Sequence, residues 1–493
     1  MVEWADAVER LVDREEVLGN VCQASRMATD AMLPLPRLIL LALCLLVCAD
    51  ARAATERPPN IVFIFADDWG WGDLSCHGHK QYRTPSIDRL ASQGIDFERF
   101  NVCSPVCSSS RTATMTGQFP ARWGVYQHFA EHALNRQRGM PDWLDPKAPM
   151  VSRMLQDAGY RTGHFGKWHL TNDTITDAPH PRRYGFDESA VYNGPAPRTT
   201  PAQVADEAVR FIRANADRPF FVNVWLHESH TPHFPSKESL AAHAGLDEQH
   251  RVYAAVIADG DRKVGQILDA LHELKLDDNT LVVFSSDNGP EVTGPATATS
   301  MREGLGLYYS VGDTGGLRGR KRSLFEGGVS TPFIVRWPGH APGGAKDDST
   351  VIAGVDLLPT FCAAAGVPLP SDYRPDGENM LAAFEGHPTV RSKPIFWEWR
   401  GPDGGVEWWP RLAVRDGDWK LVMGAKPDRV ELHNVVKDPY EKKNLASSEP
   451  ERVAQLSKML LEWRDSLPPE PPADCISKTD APAPAGNSGG KNR

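Results

Sequence analysis

The chain has 493 residues, 41% of them apolar and 24% charged, with a formal charge of −10. This is an ordinary globular composition, and the length allows about three domains of roughly 150 residues, or one large domain with a smaller companion. No long basic run offsets the acidic balance, so a protein that reads a nucleic-acid backbone is disfavoured. Forty-one Gly and forty Pro imply many loops on a large scaffold, and loops are where chemistry tends to sit.

The first informative segment is Leu33 to Cys48, LPLPRLILLALCLLVC. Its apolar part, Leu38 to Cys48, falls short of the ~20 residues a spanning helix needs. Arg37 supplies a positive flank, and Ala51-Arg52-Ala53 has the small-x-small pattern of a cleavage site. The expectation is a signal peptide cut near Ala53, no stable membrane insertion, and a mature chain that is periplasmic or extracellular. An uncleaved anchor is the alternative; lipidation at Cys48 is weaker, because Val47 suits it poorly, and translation from Met27 or Met32 would explain the odd upstream run. Cleavage there removes Cys22, Cys44 and Cys48 and leaves Cys76, Cys103, Cys107, Cys362 and Cys475. Five are too few for a disulfide scaffold, and an odd number leaves a thiol unpaired or consumed by other chemistry.

Further on, buried strands are predicted at Asn60–Ala66, Gly163–Gly166, Phe220–Leu226, Leu281–Ser285 and Pro332–Arg336. Helical patterns lie between them at Ser86–Gln93, Met150–Asp157, Pro201–Ala216 and Arg251–Leu274. The alternation predicts an α/β fold with a mostly parallel, doubly wound sheet over residues 57–370. After residue 370 the texture changes. Phe396–Arg400, Leu412–Arg415 and Trp419–Met423 read as antiparallel strands, and Pro450–Trp463 as an amphipathic helix, so a smaller α+β domain is expected over 371–467. From 468 to 493 the composition predicts disorder.

In an open α/β sheet, ligands bind beyond the carboxyl ends of the strands. Four predicted strands end in Asp67-Asp68, in Lys167-Trp-His169, in His227-Glu-Ser-His230 and in Asp287-Asn288. Asp67, Asp68, Asp287 and Asn288 offer only oxygen ligands, which suits a hard divalent cation. Either acidic pair alone would equally suit a turn. Lys167 and His169 are two apart, so an extended chain would point both into the cleft, where a cation beside a proton carrier suits an anionic ester. Cys107 precedes a serine cluster and Arg111 at the start of a predicted helical turn, where backbone N–H groups favour anions and a lowered thiol pKa is expected.

These motifs resemble the type I, formylglycine-dependent sulfatases of the alkaline-phosphatase-like superfamily. The resemblance runs from about Pro59 to Trp463 and is carried by Asn60–Asp73, Thr84–Ala91, Pro105–Gly117, Gly166–Leu170, Ser286–Gly289, Leu317–Gly328 and Val414–Val422. The layout is most similar to arylsulfatases and N-acetylgalactosamine-6-sulfatases. The resemblance implies a large mixed sheet between helices with a smaller C-terminal α+β domain. It implies that a separate maturation enzyme oxidises Cys107 to formylglycine, whose aldehyde hydrate attacks sulfur; the alcohol leaves and sulfate is eliminated. One Ca²⁺, rather than Mg²⁺, is implied at Asp67, Asp68, Asp287 and Asn288, with residue 107 beside it. Arg111 and Lys167 would steady the hydrate, His169 would act as base, and Lys167, His230 and Lys321 would face the sulfate and leaving oxygen. Lys321 alone, inside the basic run Arg318–Arg322, would read as a solvated face.

Two positions depart from the family pattern. The usual Cys-x-Pro-x-Arg is here Cys107-Ser-Ser-Ser-Arg111, with Ser109 for proline, and Ser330 stands where many relatives carry Arg. The function expected is hydrolysis of a sulfated carbohydrate or small sulfate ester. The competing readings are an inactive binder of sulfated glycans and a phosphodiesterase or phosphonate hydrolase on the same scaffold. Trp397, Trp399, Trp408 and Trp409 either stack on sugars or fill a core, and His128 and His132 are candidates for a pocket wall.

Overall fold

The computed structural model describes residues 57–292, 301–302, 305–306, 310–401 and 409–479. The segment read as a signal peptide, Trp408 and residues 480–493 lie outside them. Among the described residues, no helix is long and apolar enough to cross a membrane.

Eight strands form the main sheet: β1 (Asn60–Ala66), β2 (Ile95–Phe97), β3 (Arg161–Lys167), β4 (Glu188–Tyr192), β5 (Phe220–Trp225), β6 (Thr280–Ser286), β7 (Phe333–Arg336) and β8 (Ala345–Asp347). Their order is β8-β2-β7-β6-β1-β5-β3-β4. Only β7 runs against its neighbours β6 and β2; every other pairing is parallel. The sequence shows why β1 sits in the middle. NIVFIFA is buried along its whole length. Ile61, Phe63 and Phe65 face one core, and Val62, Ile64 and Ala66 face another. Successive side chains alternate between sheet faces, so a strand that is apolar from Ile61 to Ala66 needs cover on both.

Helices provide that cover. α1 (Pro85–Ser92), α4 (Val204–Ala214) and α5 (Glu248–Glu273) bury Leu90, Phe211, Ile257 and Val264 against the Val62 face. α2 (Cys107–Thr116), α3 (Val151–Asp157) and α6 (Leu357–Ala364) bury Met115, Leu155 and Phe361 against the Phe63 face.

A second, antiparallel sheet runs in order through β9 (Ile395–Glu398), β10 (Leu412–Asp416), β11 (Trp419–Met423) and β12 (Val430–Asn434), backed by α7 (Pro450–Asp465). Its Trp397, Leu421 and Leu432 belong to the same core as Phe63. Trp397 also donates from Nε1 to the Val102 carbonyl at 2.8 Å, and Lys420 Nζ lies 2.7 Å from Glu326 Oε1. The C-terminal part is the smaller α+β domain, and its core is continuous with that of the main sheet. Trp397 and Trp399 are fully buried, and Trp409 lies under the Arg429 guanidinium at 3.9 Å. For the first two, core packing, the better of the two readings, holds and sugar stacking does not.

The tail differs from expectation as well. Residues 473–475 form a short helix, Cys475 is buried against Trp143 and Ile175, and Ser477 is hydrogen-bonded to Asp142 and Asp177. Its polar composition hides that its backbone and hydroxyls are matched to two carboxylates.

Candidate active site

β1 and β6 pair in register up to Ala66 and Ser286, so Asp67 and Asp287 leave the sheet side by side. Asp287 N donates to Ala66 O at 3.0 Å, and Asp68 N donates to Asp287 Oδ1 at 3.2 Å. The chain turns sharply at Asp68, which has φ 64°. Gly289 is required after the acidic pair, because a Cβ there would lie 1.9 Å from the Gly327 carbonyl oxygen.

Cys107 is the first residue of α2, and all ten residues of that helix are buried. Its Sγ lies 3.4 Å from Asp67 Oδ1 and 3.3 Å from Lys167 Nζ. The thiol pKa is raised, not lowered: burial and the carboxylates of Asp287 and Asp67 outweigh Lys167. The sequence reading of an activated thiol therefore does not hold, because it weighed the helix N-terminus without the burial of the thiol and its acidic neighbours.

Donor atoms of Asp67, Asp68, Cys107 and Asp287 all lie within 4.8 Å of one another. Asn288 Nδ2 donates to Asp68 Oδ1 at 2.7 Å, while Asn288 Oδ1 is buried with no hydrogen-bond partner among the described residues. Three cations brace the carboxylates: Lys167 Nζ is 2.6 Å from Asp67 Oδ2, Lys321 Nζ 2.6 Å from Asp68 Oδ2, and Arg111 Nη2 2.6 Å from Asp287 Oδ2. Even so, burial and the Asp67 charge push Asp287 up to about 7, and burial raises Asp68 although Lys321 opposes it. Burial would raise Asp67 too, but Lys167 and His230 hold it well below the usual range. Three carboxylates beside an orphan amide oxygen, two of them held back from ionising, fit a hard divalent cation.

The other expected residues gather round this cluster. A pocket of about 350 Å³ has Cys107, Lys167, His169, His230 and Lys321 in its wall. Lys167 and His169 both reach it, though not by strand alternation: β3 ends at Lys167 and His169 adopts φ 51°. His230 Nε2 is 3.9 Å from Asp68 Oδ2. Arg111 lies behind the pocket, fully buried, with its guanidinium 4.7 Å above the Trp225 ring and held by Asp287. His128 lines the pocket, but His132 does not; its Nδ1 is 2.6 Å from Asp142 Oδ2. Ser330 lies over Phe100 O, and its place there explains nothing about the missing Arg.

Several pocket residues had no role assigned from sequence. His227 Nδ1 bonds Asp67 Oδ2 at 2.8 Å and its ring stacks on His230 at 4.8 Å. Its place at the end of β5 was the available signal. Arg322, Asn172 and Asn193 also line the pocket, from loops whose sequence carries no periodicity. The wall at 128–130 is held from behind. Phe129 N donates to Ser108 Oγ at 2.9 Å, and Asn135 bonds both Ala130 N and Ala130 O at 2.8 Å. Asp142 in turn accepts from Asn135 Nδ2 at 2.9 Å and from Ser477 N at 2.7 Å. The C-terminal strap is thus tied to the pocket wall through one buried carboxylate.

A mostly parallel α/β sheet with an acidic, lysine-braced cluster around a helix-start cysteine defines a hydrolase of anionic esters. Comparison with known proteins makes this specific. The Sulfatase family profile matches residues 59–367, and the profile for the N-sulphoglucosamine sulphohydrolase C-terminal region matches 319–466. The chain is 33% identical to human arylsulfatase A, over 78% of this chain and 77% of that one. It is 32% identical to the N-acetylgalactosamine-6-sulfatase of Canis lupus familiaris, over 70% and 69%. Among solved structures it is similar to Ps i-CgsB in complex with k-i-k-neocarrahexaose, with TM-score 0.69, 26% identity, and coverage of 83% of this chain and 93% of that one. The chain belongs to the sulfatase family and is a sulfuric ester hydrolase.

Proposed function

We propose that this sulfatase acts on sulfated carbohydrate outside the cytoplasm, through formylglycine at position 107 and one Ca²⁺. The observation that carries the proposal is the placing of Cys107 Sγ against both Asp67 and Lys167, in the wall of a 350 Å³ pocket that Lys321 and His230 share. Asp67, Asp68, Asp287 and Asn288 would hold the ion, with an oxygen of converted residue 107 beside them. Bound there, it would supply positive charge toward sulfate oxygens and offset the repulsion among three carboxylates. Conversion of Cys107 by a maturation enzyme would supply a nucleophile with a second hydroxyl, from which sulfate can be released.

The remaining work falls to side chains of this chain. Lys167 and Lys321 are protonated and bind sulfate oxygens. Arg111 keeps Asp287 oriented. His230, on the Lys321 side, gives a proton to the departing alcohol, and His169 removes one for sulfate release. The carbohydrate class rests on the relatives' substrates and on the leader-like segment at 33–53. Trp408 lies outside the described residues and takes no part in the proposal. Ser109 favours one second reading, binding without turnover, if maturation fails. The test is a screen of purified protein on defined 2-, 3-, 4- and 6-sulfated sugars beside Cys107→Ala. Turnover of at least one sugar by the parent alone is expected; binding with no turnover selects the second reading, and equal turnover by both proteins refutes the nucleophile.

A further inference from the structure

Away from the active site, a second cluster brings a sulfur, a nitrogen and a carboxylate together. Cys76 and His77 lie in a short helix of the loop between β1 and α1, and Asp96 lies on β2. Donor atoms of Cys76, His77 and Asp96 all fall within 4.8 Å of one another. The histidine is preset. Its ring stacks on Trp71 at 4.2 Å, its side chain is wholly shielded, and Nδ1 lies 2.7 Å from the Trp71 carbonyl. A carbonyl oxygen only accepts, so Nδ1 carries the proton. Nε2 then faces the Asp96 oxygens at 3.0 and 3.1 Å. Such contacts need either a second ring proton or a cation in its place. A backbone carbonyl on the far nitrogen is the usual way a ligating histidine is oriented.

We propose that Cys76, His77 and Asp96 form a zinc site, separate from the catalytic cation site, with a fourth position open to water. Sulfur, imidazole and one carboxylate suit Zn²⁺, whereas Ca²⁺ takes oxygen sets. On binding, the Cys76 S–H proton, with any proton on His77 Nε2, passes to water as the Zn–S and Zn–N bonds form. Burial, with the charges of Asp96 and Asp88, holds the free thiol up at about 12, so the ion itself drives that ionisation. Lys346 lies 3.8 Å from Asp96 and is more than half exposed; it turns to Glu98, already 3.4 Å away, when Asp96 takes the metal. His79 stays out of the set, turned toward Gly72 O and Asp313. The site would staple the loop that begins with Asp67 and Asp68 to β2.

Co²⁺ is the probe, in a Cys107→Ser background so that the catalytic position offers no thiol. One equivalent of Co²⁺ is expected to give a thiolate-to-cobalt charge-transfer band with Ca²⁺ in excess. Cys76→Ser should abolish the band, and Asp96→Asn should weaken affinity at least tenfold. Zn²⁺ should displace the cobalt and raise the melting temperature by several degrees. Absence of the band in the Cys107→Ser protein, or its survival in Cys76→Ser, overturns the proposal. If Cys76→Ser does not fold, His77→Gln is read in its place, by the same loss of the band.

Discussion

His169 lies with Nε2 3.1 Å from the carbonyl oxygen of Phe129, and a carbonyl accepts but never donates. Nε2 therefore carries the proton, and Nδ1 is the bare nitrogen, buried with no hydrogen-bond partner among the described residues. Burial, then Lys167 and His128, keep the ring pKa well below the usual histidine value, so it stays neutral and able to accept a proton as pH falls. His169→Ala should lower kcat by about 10²–10⁴-fold. Product should appear as a burst of one equivalent per site and then stall. A loss without a burst removes His169 from sulfate release.

Removal of metal should show in stability as well as activity. Chelation is expected to abolish turnover and to lower the melting temperature, with both restored by Ca²⁺ and less well by Mg²⁺. Asp287→Ala is a poor test, because it strands the fully buried Arg111; breaking such a pair costs about 3–5 kcal/mol. Asn288→Ala is cleaner. It removes the orphan oxygen and should raise the Ca²⁺ needed for half-maximal activity at least tenfold. Full activity after exhaustive chelation would refute the metal assignment.

The strap offers a longer-range test. Asp142 joins Ser477 to Asn135 and so to the wall at Ala130. Deletion from residue 472 onward should raise KM several-fold and lower kcat, while the protein keeps its far-ultraviolet spectrum. Asp142→Asn, which keeps the volume but turns an acceptor into a donor, should show the same pattern. Unchanged kinetics in both variants would make the strap irrelevant to the site.

These contrasts show what the sequence can and cannot carry. β1, β5 and β6 were legible because NIVFIFA, FFVNVW and TLVVFSS are buried strands whose composition leaves few other choices. β4, with ESAVY, was not, because an edge strand half-buried on polar residues has no distinctive period. The acids of the site were legible as strand ends. The state of Cys107 was not, since it depends first on burial and then on Asp287 and Asp67, which the fold brings from 180 and 40 residues away. The strap escaped for the same reason: Ser477 has meaning only beside Asp142.

A pH test follows from Glu441, buried beside Lys420 and Glu326 where the second sheet meets the main body. Burial, with the Glu326 charge and against Lys420, pushes its carboxyl from 4.5 up to about 7. Between those values the folded chain keeps a proton that the unfolded chain has released, so this residue's contribution to stability falls as pH rises. Glu441→Gln mimics the protonated form and still accepts from Glu326 N. It should leave stability near pH 4 unchanged and add roughly 1–3 kcal/mol at pH 8. Equal effects at both pH values would show that Glu441 is not titrating there.

The decisive variant is Ser109→Pro. Ser109 is the third residue of α2, and the first main-chain bond of that helix runs from Ser110 N to Val106 O at 3.2 Å. Its own N–H is one of those a helix start leaves without an intrahelical partner, so proline removes no helical bond. The losses are the Ser109 Oγ bond to Gln127 O at 3.2 Å and some backbone freedom at Ser108, which proline disfavours in helical form. The folded protein should therefore tolerate the change within a few degrees of melting temperature. A maturation enzyme instead meets an extended chain, where proline fixes φ and serine does not. Conversion of Cys107 should then be partial in the parent and higher in Ser109→Pro, with turnover rising in proportion. Mass spectrometry of the peptide from Phe100 to Arg111 reads the converted fraction directly. Turnover that does not follow that fraction across the two proteins would show that residue 107 is not the nucleophile.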